Sequence, residues 1–341
     1  MNNRPARCAL VGMDDGSRLA LQPLAAFPSF EIVDADPEKA ADEKYWKTVF
    51  EDRKLSGLVV GTSDSEAGRR IEACARRVAA RSALKIAAIE DYPGNYFAVP
   101  DAPTSVLIAE SRFSERLYRE RLGNACPPIA IYCSPRYDHY RVKSDELRRA
   151  TQAAWRQSAA PKILWAGQPE SDDCIESLRR IAAAVRAHDA TLLIKAHPRD
   201  RAYCEGIYPN LLQDLGVRNK DVTGLSVDAC LAMSPTLALT QFSSVAIEAG
   251  FFGIPSLHLV YHDVGGARLQ RKKGYDIPFY CQAGAGFFLQ HIGDEPETLR
   301  RSLLDETARA SVITCFDDFF ATRTRIAPKL ADYLVEFMGL A

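Results

Sequence analysis

The sequence predicts an α/β protein of two Rossmann-like domains whose parallel sheets face a central cleft. Three observations predict this. At 341 residues the chain exceeds what a single core usually holds. Short apolar runs of strand length alternate with helical patterns through both halves, as parallel sheets covered on both faces require. Each half repeats the architecture without repeating the sequence, and open α/β sheets bind ligands beyond the carboxyl ends of their strands.

In the first half, strands are expected at Cys8 to Val11, Phe30 to Asp34, Leu55 to Val60, Leu84 to Ile89, Ser105 to Ala109 and Ile129 to Tyr132. Helices are expected at Arg18 to Phe27, Ser65 to Ser82 and Ser111 to Leu122. The stripe Ile71, Cys74, Ala75 and Val78 marks the second of these. A polar helix from Tyr140 to Ser158 then leads into Ala159-Ala160-Pro161, read as the linker. Strands follow at Lys162 to Trp165, Thr191 to Lys195, Leu237 to Thr240 and Pro255 to Val260. Helices are expected at Cys174 to His188, Ser243 to Phe252, Pro296 to Leu304, Val312 to Phe320 and Ile326 to Met338. The domains are therefore residues 1–145 and 160–300. Helices in 301–341 follow, and the last is expected to pack back on the N-terminal domain.

Composition narrows the function classes. The 43 basic and 44 acidic residues leave a net charge of -1, without the basic excess of a nucleic-acid binder. Nine cysteines, an odd number with no CxxC, argue against a disulfide framework or a structural zinc site and for a reducing compartment. No metal-ligand spacing is found, so no metal or other cofactor is expected. The polar start Met1 to Arg7 has no signal-peptide character, and no apolar run reaches membrane-spanning length. A cytoplasmic protein is expected, with at most peripheral membrane contact.

Chemistry concentrates in two segments of the second half. In Leu193-Ile194-Lys195-Ala196-His197-Pro198-Arg199, a cation and an imidazole leave the end of a strand together, and Pro198 stiffens the loop. In Thr240-Gln241-Phe242-Ser243-Ser244, two hydroxyls open a helix, where free N–H groups and the positive dipole end suit a phosphate. Glu248, one turn beyond Ser244, is placed to accept hydrogen bonds from ribose hydroxyls. Gln168, in the Gly167-Gln168-Pro169 turn, completes the expected nucleotide set of Lys195, His197, Ser243, Ser244, Glu248 and Gln168. Of the other histidines, His258 reads as a satisfied core residue, and the cluster Arg268, Arg271, Lys272 and Lys273 as a solvated loop or an anion contact.

The His-Pro pair after a strand, the Ser-Ser pair opening a helix and Gly253-Ile254-Pro255 resemble the donor site of bacterial sialyltransferases and polysialyltransferases. The same region is similar to CDP-glycerol glycerophosphotransferases and, more loosely, to UDP-N-acetylglucosamine 2-epimerases. The resemblance spans most of residues 55 to 260. It implies a GT-B fold, with His197, Ser243 and Ser244 on the donor phosphate and Glu248 near the ribose. In the first half, Val60-Gly61-Thr62-Ser63 resembles a strand-end turn of these proteins. Cys133-Ser134-Pro135-Arg136-Tyr137-Asp138 resembles their Gly-x-Pro-x-x-Asp segment, with Cys133 in place of Gly. In bacterial sialyltransferases an acidic pair followed by Gly supplies the general base. Here Glu90-Asp91 is followed by Tyr92-Pro93 before Gly94, and Asp91 is the first choice, with Glu90 as its alternative. Asp14 in Met13-Asp14-Asp15-Gly16-Ser17 is the reserve, against its reading as a turn and helix cap.

The function expected is metal-independent, inverting transfer of a sugar to a hydroxyl acceptor in surface glycan synthesis, with a CMP-linked nonulosonic acid as one donor. Three rivals stand beside it. A nucleotide-sugar 2-epimerase would carry an Arg-x-Glu-Asn segment, which is not found. Phosphoglycerol transfer would use a related CDP or CMP donor. A GT-B-shaped binding protein would have a decayed N-terminal site.

Overall fold

A computed structural model describes residues 6–155 and 160–340. The first five residues and 156–159, which include Ser158 and Ala159 of the expected helix and linker, lie outside the described residues. The chain divides into two compact units, Met1–His139 with Thr324–Ala341, and Tyr140–Arg323.

The first unit holds a six-stranded, all-parallel sheet. Its strands are β1 (Arg7–Val11), β2 (Phe30–Ile32), β3 (Leu55–Val60), β4 (Lys85–Ile89), β5 (Val106–Ala109) and β6 (Ile129–Ile131). Their order is β2-β1-β3-β4-β5-β6. The strands are apolar because helices cover them, as parallel crossovers demand. Helix Glu66–Arg81 begins at Ser65, whose hydroxyl accepts from Gly68 N at 3.0 Å. It buries Ile71, Cys74, Ala75 and Val78 against Leu58 and Val60. The helix Glu43–Arg53 has no counterpart in the sequence reading. Its acidic and basic positions outnumber its apolar ones, and Trp46 and Phe50 alone are buried along it. The expected helix Arg18 to Phe27 is instead Asp15–Leu21 followed by a 3₁₀ turn, Gln22–Ala26, with Pro23 at its start.

The second unit holds another six-stranded parallel sheet. Its strands are β7 (Lys162–Ala166), β8 (Thr191–Lys195), β9 (Asn219–Asp221), β10 (Leu237–Thr240), β11 (Ser256–Leu259) and β12 (Phe287–Leu289). The order β12-β11-β10-β7-β8-β9 is the doubly wound one, with the winding reversing between β7 and β10. In the first sheet the reversal falls between β1 and β3. Strands β9 and β12 escape the sequence reading; β9 is fully polar and exposed, and β12 is the short apolar run Phe287-Phe288-Leu289.

The unit boundaries differ from those read in the sequence, where 1–145 and 160–300 formed the domains and 301–341 stood apart. Helix Ser144–Trp155 belongs to the second unit, since Ser144 Oγ donates to Phe251 O at 3.3 Å and Arg148 pairs with Asp317. Helices Glu295–Leu304 and Glu306–Phe320 stay in that unit too. The chain rejoins the first unit at Thr324, and Asp138 fixes the return. Its carboxylate accepts from Ile326 N at 2.9 Å and Ala327 N at 2.7 Å, two otherwise orphan donors at the start of helix Ala327–Met338. Lys85 Nζ donates to Phe337 O at 2.5 Å at the other end. Among the described residues no helix is long and apolar enough to cross a membrane.

Removing that anchor leaves buried N–H groups unsatisfied. Asp138→Ala is expected to lower stability by about 1–3 kcal/mol, and Asp138→Asn by less because one acceptor remains. Urea unfolding followed by tryptophan fluorescence measures both.

Candidate functional site

Both sheets place their polar residues on the turns at the carboxyl ends of the strands, around the winding reversals. In the first unit the turns after β1, β3 and β4 are tied into one buried network. Asp14 N donates to Ser63 Oγ at 3.1 Å, and Ser17 Oγ lies 3.0 Å from Ser63 Oγ. Both oxygens of Asp14 accept from Ser65, from its N at 2.7 Å and its Oγ at 2.6 Å. The reserve base is therefore engaged in bracing the start of helix Glu66–Arg81.

Asp91 follows β4 and is buried. Its Oδ1 accepts from Thr62 Oγ1 at 2.6 Å and Asn95 Nδ2 at 2.9 Å, while its own N donates back to Thr62 Oγ1 at 3.0 Å. Its Oδ2 lies against Gly16, where an added Cβ would come within 2.5 Å and the carboxylate would have to shift. Glu90 is 1% exposed and turned inward. It accepts from Glu110 N at 2.8 Å and from the Tyr118 hydroxyl. Burial pushes its pKa up, against these donors. Tyr118 in turn accepts from Gly94 N at 3.0 Å and Tyr96 N at 3.1 Å, which folds the Tyr92-Pro93-Gly94 turn onto helix Arg112–Leu122. Gly94 makes this turn at φ 91°, a conformation open to glycine. Glu90 thus organises the loop and Asp91 lies along it.

Two acids here went unread in the sequence. Glu110 follows β5 and is 3% exposed. Glu72 is fully buried, and Ser63 donates to it from its N at 3.1 Å and its Oγ at 2.5 Å. Burial, opposed by these donors and reinforced by the charge of Asp91, raises its pKa to about 7. A signal for Glu72 existed, because it occupies the apolar stripe of its helix between Ile71 and Ala75.

In the second unit, Gln168 follows β7, His197 follows β8, and Ser243 and Ser244 follow β10, all on adjacent strands. Thr240 Oγ1 donates to Ala166 O at 2.6 Å across the reversal. Gly167 N donates to Lys195 O at 3.0 Å, and a Cβ on Gly167 would lie 3.4 Å from His197 N, so the turns after β7 and β8 touch. His197 is half-buried. Its Nδ1 accepts from Arg199 N at 3.1 Å, which leaves the proton of the neutral ring on Nε2. Burial, then the charge of Arg199, lowers its pKa, so near neutral pH it offers an Nε2–H donor. Asp200 fixes the loop from within. It is fully buried, its N donates to His197 O at 2.9 Å, and its Oδ1 accepts from Ser171 Oγ at 2.6 Å.

Ser243 and Ser244 are half-buried ahead of helix Val245–Phe251. Ser243 Oγ accepts from Val245 N at 3.3 Å, while the Ser244 side chain makes no capping bond. Glu248 lies within that helix and accepts from Tyr140 at 3.4 Å, a hydroxyl that also donates to Asp228. Lys195 points elsewhere than expected. Its Nζ donates to Leu225 O at 2.6 Å and Thr223 O at 3.4 Å, binding the loop after β9. Gln168 is held through its backbone, its N donating to Cys174 Sγ at 3.3 Å. The basic cluster is a helix, Gly265–Lys273, and not a loop. Arg268 pairs with Asp173 at 2.5 Å and Lys272 with Glu170 at 2.6 Å. Among the described residues no group of three or more His, Cys, Asp or Glu is placed to hold a metal ion.

No family model and no curated protein matches the chain. Solved structures do. UDP-N-acetylglucosamine 2-epimerase from Neisseria meningitidis bound to UDP-N-acetylglucosamine is 11% identical, with a TM-score of 0.62 over 97% of this chain and 100% of that one. HepE from Anabaena in complex with UDP and glucose is 13% identical, with a TM-score of 0.61 over 98% and 100%. A glycosyltransferase from Rickettsia africae is 10% identical, with a TM-score of 0.60 over 98% and 99%. The protein therefore has a GT-B-like fold of two Rossmann-like α/β units.

His258 supports the turn that carries Ser243. It is fully buried, with Nδ1 donating to Gln241 O at 2.8 Å and Nε2 accepting from Tyr280 at 2.7 Å. Burial lowers its pKa from 6.5 to about 4. The unfolded chain therefore binds this proton first as pH falls. The neutral imidazole's contribution is fully present above 6.5 and is lost as pH falls toward about 4. Its size is on the order of 3 kcal/mol. His258→Gln is expected to flatten the stability–pH curve in that window, as followed by urea unfolding.

Proposed function

We propose that the chain is a sugar-nucleotide enzyme, a glycosyltransferase that moves a sugar from a nucleotide donor to a hydroxyl acceptor with inversion. The observation that carries this reading is the gathering of Gln168, His197, Ser243 and Ser244 on neighbouring turns at the winding reversal of the second sheet. A GT-B-like fold shared with proteins solved with UDP or a UDP-sugar supports it. In this reading the Nε2–H of His197 and the Ser243 and Ser244 hydroxyls receive the charge that develops on the leaving phosphate. Lys195 acts from behind, by holding the loop at Thr223 to Leu225. Glu248 accepts from the ribose. Asp91 takes the acceptor proton, and Glu90 shapes the loop that presents it. Surface glycan synthesis at the cytoplasmic side, with an acceptor in solution or at a membrane, fits this chemistry.

An epimerase reading stands second because of a specific observation. Four buried carboxylates, Glu72, Glu90, Asp91 and Glu110, crowd one end of the first sheet, and proton transfer at a sugar carbon uses more than one acid or base. An epimerase converts the nucleotide sugar with no acceptor present, whereas a transferase needs one.

A thermal-shift screen of UDP, CMP, CDP and GDP with their sugars identifies the donor, because a ligand bound by the native state raises its apparent stability. CMP-linked nonulosonic acid, CDP-glycerol and UDP-linked sugars are the donors that this screen separates. A shift with none of them sinks the reading.

With the donor in hand, His197→Ala and the Ser243→Ala/Ser244→Ala pair are each expected to weaken nucleotide binding about 10–100-fold by calorimetry with unchanged melting, since each removes donors to a charged group. Asp91→Asn is expected to cut turnover about a thousandfold or more with donor affinity near normal, because a base acts in the transition state. Full turnover in that variant would falsify the assignment of the base.

A further inference from the structure

The first unit contains a buried acid that the proposed chemistry does not use. Glu72 is fully enclosed in helix Glu66–Arg81, and a carboxylate in such a place needs a reason, since burial of the charged form is costly. Its two oxygens hold two donors of one residue, Ser63 N at 3.1 Å and Ser63 Oγ at 2.5 Å. The backbone amide of Met13 also favours its ionised form. Glu72 therefore grips the turn after β3 and faces the turn after β1. A Cβ on Gly68 would meet Ser63 Cβ at 2.6 Å, so helix and turn are in direct contact.

The neighbour of Ser63 turns the other way. Thr62 Oγ1 donates to Asp91 Oδ1 at 2.6 Å and accepts from Asp91 N at 3.0 Å. The backbone between residues 62 and 63 is thus pulled from both sides, by Glu72 through Ser63 and by Asp91 through Thr62. We propose that Glu72 is a positioning residue for Asp91, acting through the Ser63–Thr62 turn to keep the Thr62 hydroxyl on the Asp91 carboxylate. This rests on the reading of Asp91 as the base.

Asp91 faces Glu72 from the turn after β4, and its charge raises the affinity of Glu72 for a proton. Asp91 acts on Glu90, in the same turn, in the same sense. Asp14, on the turn after β1, gives its carboxylate to Ser65. Arg76, one turn along the helix, gives its guanidinium to Phe97 O, Ala102 O and Thr104. Changing Glu72 therefore has two opposed effects on Asp91. Loss of the negative charge lowers its titration midpoint, and release of Thr62 raises it by removing a donor to the charged form.

Two neutral replacements separate these effects. Glu72→Gln keeps an acceptor for Ser63, and Glu72→Met keeps the bulk without one. The probe is the titration of the Asp91 carboxyl carbon in protein carrying carbon-13 aspartate, the signal being assigned by its loss in Asp91→Asn. The midpoint is expected to lie higher in Glu72→Met than in Glu72→Gln by about half a unit or more, and Thr62→Val is expected to abolish the difference. Equal midpoints overturn the proposal. Should Glu72→Met not fold, Ser63→Ala in the Glu72→Gln background carries the same prediction against Glu72→Gln alone. With the donor identified, Glu72→Met is also expected to lower kcat about tenfold with KM within about twofold, and Glu72→Gln to recover most of the loss. Full turnover in Asp91→Asn, with the midpoints behaving as stated, sinks the base reading and leaves the brace standing.

Discussion

Everything in this structure depends on the demand a parallel sheet makes of its chain. Each strand must return by a crossover, so helices cover both faces and the central strands are apolar on both sides. Polar chemistry is then confined to the turns, and those at the carboxyl ends lie together. Where the winding reverses, between β1 and β3 and between β7 and β10, successive crossovers run to opposite faces and leave a crevice. Thr62, Ser63 and Asp91 gather at or beside the first reversal, and Gln168, Ser243 and Ser244 at the second. The sites follow from topology before any side chain is chosen.

Burial sets the second condition. Glu72, Glu90, Asp91 and Asp200 sit where an unpartnered charge would be strongly destabilising. Each is met by at least one donor from another turn or helix start. Ser63 serves Glu72, the Glu110 amide serves Glu90, Thr62 and Asn95 serve Asp91, and Ser171 serves Asp200. The acids therefore tie neighbouring turns to one another. His258 does the same work neutral, fixing the Gln241 carbonyl just ahead of Ser243. Asp91 and Glu90, adjacent in the chain, take different partners, Thr62 and Asn95 for the one and the Glu110 amide and Tyr118 for the other.

The readings of the two units rest on different kinds of support. In the second, a half-buried imidazole with its proton directed to Nε2 and two hydroxyls at a reversal suit an anionic group, whatever the nucleotide. In the first, an excess of buried acid suits proton transfer, and both sugar transfer and epimerisation require that. The GT-B-like fold hosts both chemistries among the solved structures it matches. The fold therefore bounds the chemistry without selecting it.

The sequence by itself determined the architecture. Ten of the strands were legible because two-sided burial writes them as unbroken apolar runs, Leu55 to Val60 and Thr191 to Lys195 among them. The turns that follow were legible because their polar residues interrupt those runs, which brought out His197, Ser243, Ser244 and Asp91. Strand β9 and the helix Glu43–Arg53 were not, since they are mostly polar and their order comes from neighbours far along the chain. Tertiary structure alone decided the partners. It turned Lys195 onto the Leu225 carbonyl, Asp14 onto Ser65 and Glu90 onto Tyr118, and it set Glu72 across from Asp91. It also moved the helix Ser144–Trp155 into the second unit, through Arg148 and Asp317, 169 positions apart. A periodic pattern states which face of an element is buried. Which donor a buried acid meets depends on strands that neighbour it in space and not in sequence, and no local pattern carries that information.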